Sequence, residues 1–196
     1  FYPITELDVK EWNELQEYRK ISLHRRDKDF VIFWNNRNIR RKLPSDVIMA
    51  YKTFCDMLPK EKSDKCVLIM HTQPIDQNGT DLPVVVNEIC PAYDVIFSHQ
   101  KLSDEELNYL YNIADIQVNM ASNEGFGLGT AEALMAGTPI VVNVTGGLQD
   151  QCGFKLLKTN KYNSLPSLPY NQIINFPFGF RDSYIFLHTI SASGMW

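Results

Sequence analysis

The chain predicts an α/β domain with a doubly wound parallel sheet, and three observations carry that expectation. Five apolar runs recur, at Asp29–Trp34, Cys66–His71, Val95–Ser98, Ile116–Met120 and Ile140–Val144. Most are continuous rather than alternating, as strands buried on both faces require. Helical signals separate the runs, and right-handed crossovers then place helices on both faces of one parallel sheet.

The elements follow in order. Residues 1–28 are polar and mixed, with a helix expected at Val9–Arg19 and a basic pair at Arg25-Arg26, and they read as a lead-in or interdomain segment. The strand Asp29–Trp34 ends at Asn35-Asn36. A helix is expected from Ser45, as its N-cap, to Leu58 before Pro59. After the strand Cys66–His71 comes a loop, Gln73–Leu82, with Pro74 and Asn78-Gly79, then a helical turn at Pro83–Cys90. Ser103-Asp104-Glu105-Glu106 forms a capping box, and Leu107, Leu110, Tyr111 and Ala114 then mark one buried helix face. A short helix is expected at Gly127–Ala136, stopped by Gly137-Thr138-Pro139. Residues 29–152 thus form a Rossmann-like domain, and residues 153–196 an aromatic-rich tail without clear period.

At 196 residues the chain has room for one domain with a sizeable core. A net charge of −4 argues against a general nucleic-acid binder. No apolar run approaches the roughly 18 residues of a membrane span, and no secretory h-region opens the chain. Cys55, Cys66, Cys90 and Cys152 are too scattered for a zinc site or a disulfide framework and read as buried free thiols, which suits a cytoplasmic protein.

In a doubly wound sheet the ligand lies at the carboxyl ends of the strands, near the switch in strand order. The loops there carry Arg37–Lys42, Glu124–Gly129 and Gly146-Gly147. Gly125, Gly127 and Gly129 permit positive φ and close backbone approach, and the first amides of the helix, around Phe126 to Thr130, present positive charge to an anion such as a diphosphate. Glu124 and Glu132, eight positions apart, bracket that anion with two carboxylates that accept hydroxyls. Arg37 and Lys42 are expected to converge on the diphosphate and neutralise its charge, with no metal ion needed. Arg40 and Arg41 are as well explained by a solvated basic loop. His71 and His99 can edge the cleft, although a lone histidine is more often structural.

These residues carry a family resemblance. Arg37 to Lys42, Val95-Ile96-Phe97-Ser98, Leu102 to Leu107, Ala114-Asp115, Glu124-Gly125-Phe126-Gly127-Leu128 and Glu132 to Pro139 resemble the C-terminal donor-binding domain of the retaining group 1 (family 4) glycosyltransferases, one half of a GT-B fold. The resemblance spans residues 29–151. It implies a catalytic set of Glu124, Arg37 and Lys42, with Glu124 near the donor sugar and the basic pair on the diphosphate. It implies substrate contacts from Phe126, Gly127 and Leu128, from Glu132 to the ribose, from Gln100, Lys101 and Leu102 to the nucleobase, and from Gly146 and Gly147 beside the diphosphate. Transfer would be metal-independent and retaining, from a UDP- or GDP-type nucleotide-sugar that is substrate rather than cofactor. The family's N-terminal acceptor domain has no counterpart here, so a fragment exposing apolar surface, and some self-association, are expected. Two other readings remain open: a non-catalytic nucleotide-binding or assembly module, and a sugar-nucleotide epimerase of GT-B architecture.

Overall fold

The computed structural model describes residues 1–143 and 145–152; the aromatic tail and Val144 lie outside the described residues. Five strands, β1 (Phe30–Asn35), β2 (Cys66–His71), β3 (Asp94–Ser98), β4 (Ile116–Asn119) and β5 (Ile140–Val142), form one sheet in the order β3-β2-β1-β4-β5. All four pairings are parallel, with Phe30 opposite Cys66 and Ile32 opposite Ile116.

Each strand feeds both faces of the sheet, because successive side chains point to opposite sides. Val31, Phe33, Val67 and Ile69 enter one core layer, while Ile32, Trp34, Leu68 and Met70 enter the other. The first layer is covered by α1 (Val9–Ser22), α5 (Asp104–Ile113), α6 (Leu128–Ala136) and α7 (Leu148–Gln151). The second is covered by α2 (Pro44–Asp56) and α4 (Leu82–Ile89), with the short α3 (Lys60–Ser63) leading into β2. The continuous apolar runs thus have their expected cause, a sheet buried on both sides.

Several local expectations change. The segment read as a lead-in packs on the domain: Ile4, Leu15 and Leu23 are buried in the first layer, and α1 lies against α5. Helix α2 does not use Ser45 as its cap. Leu43, at φ 51°, holds the N-cap position without a side-chain bond, and Pro44 opens the helix. Proline suits that place because its fixed φ is helical and its missing N–H would have had no partner. The capping box forms in full: Glu106 N–H donates to Ser103 Oγ at 3.2 Å and Ser103 N–H to Glu106 Oε2 at 2.8 Å. All four cysteines are free and buried, and burial pushes the thiol of Cys55 up to about 12 and that of Cys90 to about 11. Neither carries a nucleophilic thiolate near neutral pH. No described helix is long and apolar enough to cross a membrane.

Candidate functional site

Strand order reverses between β1 and β4, whose neighbours run outward in opposite directions. Two cavities of about 360 and 350 Å³ open where β1 ends, and both are lined by Asn35 and Asn36. The first is completed by Lys42, Leu107, Glu124, the turn Phe126–Gly129 and Glu132. The second is completed by Arg37, His71, Thr72, Gln73, Ser98, His99, Gln100 and Lys101.

The first cavity is built around the start of α6. Gly127 caps the helix at φ 86°, and Thr130 and Ala131 N–H both donate to its carbonyl at 3.0 Å. Among the described residues no acceptor meets the amides of Phe126, Gly127, Leu128 or Gly129. A buried link fixes the helix to the sheet, as Asn119 Nδ2 donates to Thr130 Oγ1 at 3.1 Å. Of the three turn glycines only Gly127 has positive φ. Gly129 is helical, and its role is close approach: a Cβ there would stand 3.0 Å from the Asn35 carbonyl.

Glu124 and Glu132 face this one cavity. Glu124 and Lys42 are both 7% exposed and form a buried ion pair. Arg41 adds a longer contact, Nη1 to Glu124 Oε2 at 3.8 Å, and donates to the Asn123 carbonyl at 2.8 Å. Arg41 therefore clamps the turn, and neither it nor Arg40 lines either cavity. Glu132 accepts from the Tyr111 hydroxyl at 2.7 Å. Burial raises the Glu132 carboxyl above the usual glutamate range, with Asp104 adding to the rise and the Tyr111 bond opposing it.

Arg37 does not join Lys42. It lines the second cavity, where its Nε donates to Asp76 Oδ2 at 2.9 Å and its side chain is 63% exposed. The two cations expected to converge lie in adjoining cavities, Lys42 in the first and Arg37, beside Lys101, in the second. The cause is the 73–81 loop, anchored through buried Asn38, whose Nδ2 donates to the Thr80 carbonyl at 2.6 Å. That anchor sets Asp76 beside Arg37.

The remaining expected residues divide. Gln100 and Lys101 line the second cavity, whereas Leu102 packs against the first core layer. Gly146 and Gly147 line neither cavity. They lie behind the turn, where Gly147 N–H donates to the Glu124 carbonyl at 3.0 Å. His71 and His99 both edge the second cavity. His71 Nδ1 lies 3.0 Å from Ser98 Oγ, and burial lowers its pKa, so it is neutral at pH 7.

Sequence reasoning missed Asn35, Asn36, Thr72, Asp76 and Tyr111. The asparagine pair was legible as polar residues directly after a buried strand at the switch point. Tyr111 had no local signal, because its partners Asn35 and Glu132 lie 76 and 21 positions away. Thr72 Oγ1 and Asn36 Nδ2 are buried beside the second cavity without a hydrogen-bond partner among the described residues. Also among the described residues, no group of three His, Cys, Asp or Glu side chains could hold a metal ion.

Comparison with known proteins bears on this arrangement. Residues 15–153 match the family model described as glycosyl transferases group 1. D-inositol 3-phosphate glycosyltransferase of Corynebacterium urealyticum is 29% identical over 122 residues, covering 61% of this chain and 28% of that protein. The chain therefore spans less than a third of that relative's length. Among solved structures, the C-terminal domain of a group 1 family glycosyl transferase (LpcC) from Francisella tularensis has TM-score 0.55 and 21% identity over 75% of this chain and 69% of that one. The trehalose-6-phosphate phosphatase N-terminal domain of Candida albicans has TM-score 0.60 and 15% identity over 73% of this chain and 32% of that one. Anabaena Alr3699/HepE, solved with UDP and glucose, has TM-score 0.54 and 16% identity over 76% and 36%. These likenesses speak for the fold, a Rossmann-like half of the GT-B architecture. With the family model covering most of its length, the chain belongs to the group 1 glycosyl transferases.

Proposed function

We propose that this domain binds the nucleoside diphosphate part of a nucleotide-sugar donor and presents the sugar for retaining, metal-independent glycosyl transfer. The observation that carries the reading is the first cavity, where four amides at a helix start, without acceptors among the described residues, meet Lys42 and two carboxylates. Amides and the helix dipole suit an anion, and the lysine ammonium has donors beyond the one it gives Glu124. Leaving-group charge on the diphosphate would be stabilised by these fixed groups, which takes the place of a metal ion. Glu132 would accept the ribose hydroxyls and Glu124 would lie toward the sugar. The base would enter the second cavity beside Gln100 and Lys101, where Thr72 Oγ1 and Asn36 Nδ2 have no partner among the described residues. Arg37 would exchange Asp76 for the diphosphate when donor binds. The acceptor would be held by a further domain, in the part of the relative's length that this chain does not span. Phe126 and Leu128, exposed at the mouth of the first cavity, would face that domain, and in its absence would favour self-association.

Calorimetric titration with UDP, GDP and ADP tests the proposal. One nucleotide is expected to bind, unaffected by EDTA, with affinity reduced about tenfold or more by Glu132→Ala and by Arg37→Ala, each of which removes a charged hydrogen-bonding group. Flat titrations with all three would overturn it.

A pH dependence follows from the raised carboxyl of Glu132. The ionised form accepts the diol, so affinity is expected to fall as pH drops through a midpoint above the ordinary glutamate value of 4.5. Stability runs the other way. A carboxyl whose folded pKa is raised favours the folded state at low pH, and loses that contribution as pH rises from the unfolded to the folded value. Glu132→Gln is therefore expected to raise the melting temperature of the ligand-free domain at pH 7 while weakening nucleotide binding. A variant that melts lower at pH 7 would contradict this.

A further inference from the structure

Tyr111 stands between the asparagine shared by both cavities and the carboxylate of Glu132. Asn35 Nδ2 donates to its hydroxyl at 2.8 Å, and the hydroxyl donates to Glu132 Oε2 at 2.7 Å. An amide nitrogen can only donate, so the phenol's single proton is committed to the carboxylate. Burial pushes the Tyr111 pKa far up, which keeps that proton in place.

The ring cannot turn away. It is fully buried, edge-on to Phe33 at 5.1 Å and to Phe1 at 5.6 Å. Its backbone carbonyl accepts from Thr138 Oγ1 at 2.7 Å. Gly129 admits the start of α6 against this group, since a Cβ there would lie 3.3 Å from the Tyr111 hydroxyl. A free glutamate side chain would lose rotamer entropy when a ligand ordered it. Among the described residues Glu132 Oε1 meets no donor.

We propose that Tyr111, itself held by Asn35, is a positioning residue for nucleotide binding. It occupies Oε2 of Glu132, fixes the rotamer in advance, and leaves Oε1 for the vicinal hydroxyls of the ligand's ribose. This rests on the donor-site reading of Glu132 given above. The relay contributes by preorganisation, because the carboxylate is ordered before the ligand arrives.

Tyr111→Phe keeps the ring and removes the one donor. The probes are whichever of UDP, GDP and ADP binds the unaltered chain, and the 2′,3′-dideoxy form of that nucleotide. The unaltered chain is expected to prefer the ribonucleotide. Tyr111→Phe is expected to weaken the ribonucleotide about five- to tenfold, as loss of a hydrogen bond to a charged group implies, and to leave the dideoxy form unchanged. Added to Glu132→Gln, it should cause no further loss. A merely structural role would weaken both ligands alike, and that result overturns the proposal. So does a Tyr111→Phe chain that binds and discriminates as the unaltered one does. An unaltered chain that binds both forms equally, or binds none of the three nucleotides, removes the donor-site reading of Glu132 and the proposal with it. Should Tyr111→Phe fail to fold, Asn35→Ala leaves the ring packing in place. Because Asn35 also lines both cavities, the readout is the ratio: the loss on the ribonucleotide should exceed the loss on the dideoxy form by about two- to fourfold, and equal losses on both ligands would again overturn the proposal.

Discussion

Lys42→Met is expected to destabilise the domain by about 3–5 kcal/mol at pH 7, because it strands a buried carboxylate. Glu124 has its ion-pair partner in Lys42, and both side chains are nearly excluded from water. Arg41 at 3.8 Å is half-exposed and replaces only part of the lost attraction. Protonating a stranded buried carboxylate removes its desolvation cost, so the loss should be smaller in acid. Urea denaturation at pH 7 and pH 5 measures both effects. The double variant Lys42→Met/Glu124→Gln should regain most of the stability, since a neutral pair carries a smaller desolvation cost, yet it should not regain nucleotide binding. A single variant within about 1 kcal/mol of the parent would mean that the pair is solvated.

Gly146→Ala carries the second large effect, about 2–3 kcal/mol of destabilisation together with loss of most nucleotide affinity. Gly146 sits at φ 49°, and a Cβ there would run into the backbone carbonyl of Glu124. Gly147 meets the Gly125 carbonyl in the same way. Backbone cannot swing aside as a side-chain tip can, so relief requires moving the turn that carries Glu124 and the free amides. Gly125→Ala is the internal control, because a Cβ there meets nothing within 4 Å. Thermal melts should place Gly146→Ala well below Gly125→Ala. Equal melting temperatures would refute the packing of Gly146 against the turn.

The two glycines show how function and support separate. From sequence they read as neighbours of a diphosphate, and in the structure they lie behind the Glu124–Gly129 turn, bracing the loop that lines the first cavity. Their distance along the chain from Glu124 left no local trace of that contact. Arg37 and Lys42 teach the same point from the other side. Five positions apart after one strand, they look like a pair. A short 3-10 turn at Arg40–Lys42 carries Lys42 inward to Glu124, while Asp76, held by the Asn38 anchor, keeps Arg37 in the next cavity. Neither partner is near in sequence, so spacing alone could not divide them.

Much of the architecture was legible in the order of residues, because its causes are local. A strand buried on both faces must be an apolar run, a helix start takes Ser103 with Glu106, and a helix end takes Gly137 in the left-handed conformation. The grouping of Glu124, Glu132 and the α6 turn in one cavity was legible for a related reason. They belong to one strand-turn-helix unit, and the switch in strand order lies at its mouth. Packing alone determined which cation faces which carboxylate, which tyrosine steadies Glu132 and which glycines brace the turn. Those contacts join residues tens of positions apart, and no periodicity or cap records them. They exist only once the sheet has closed and side chains compete for the same buried space.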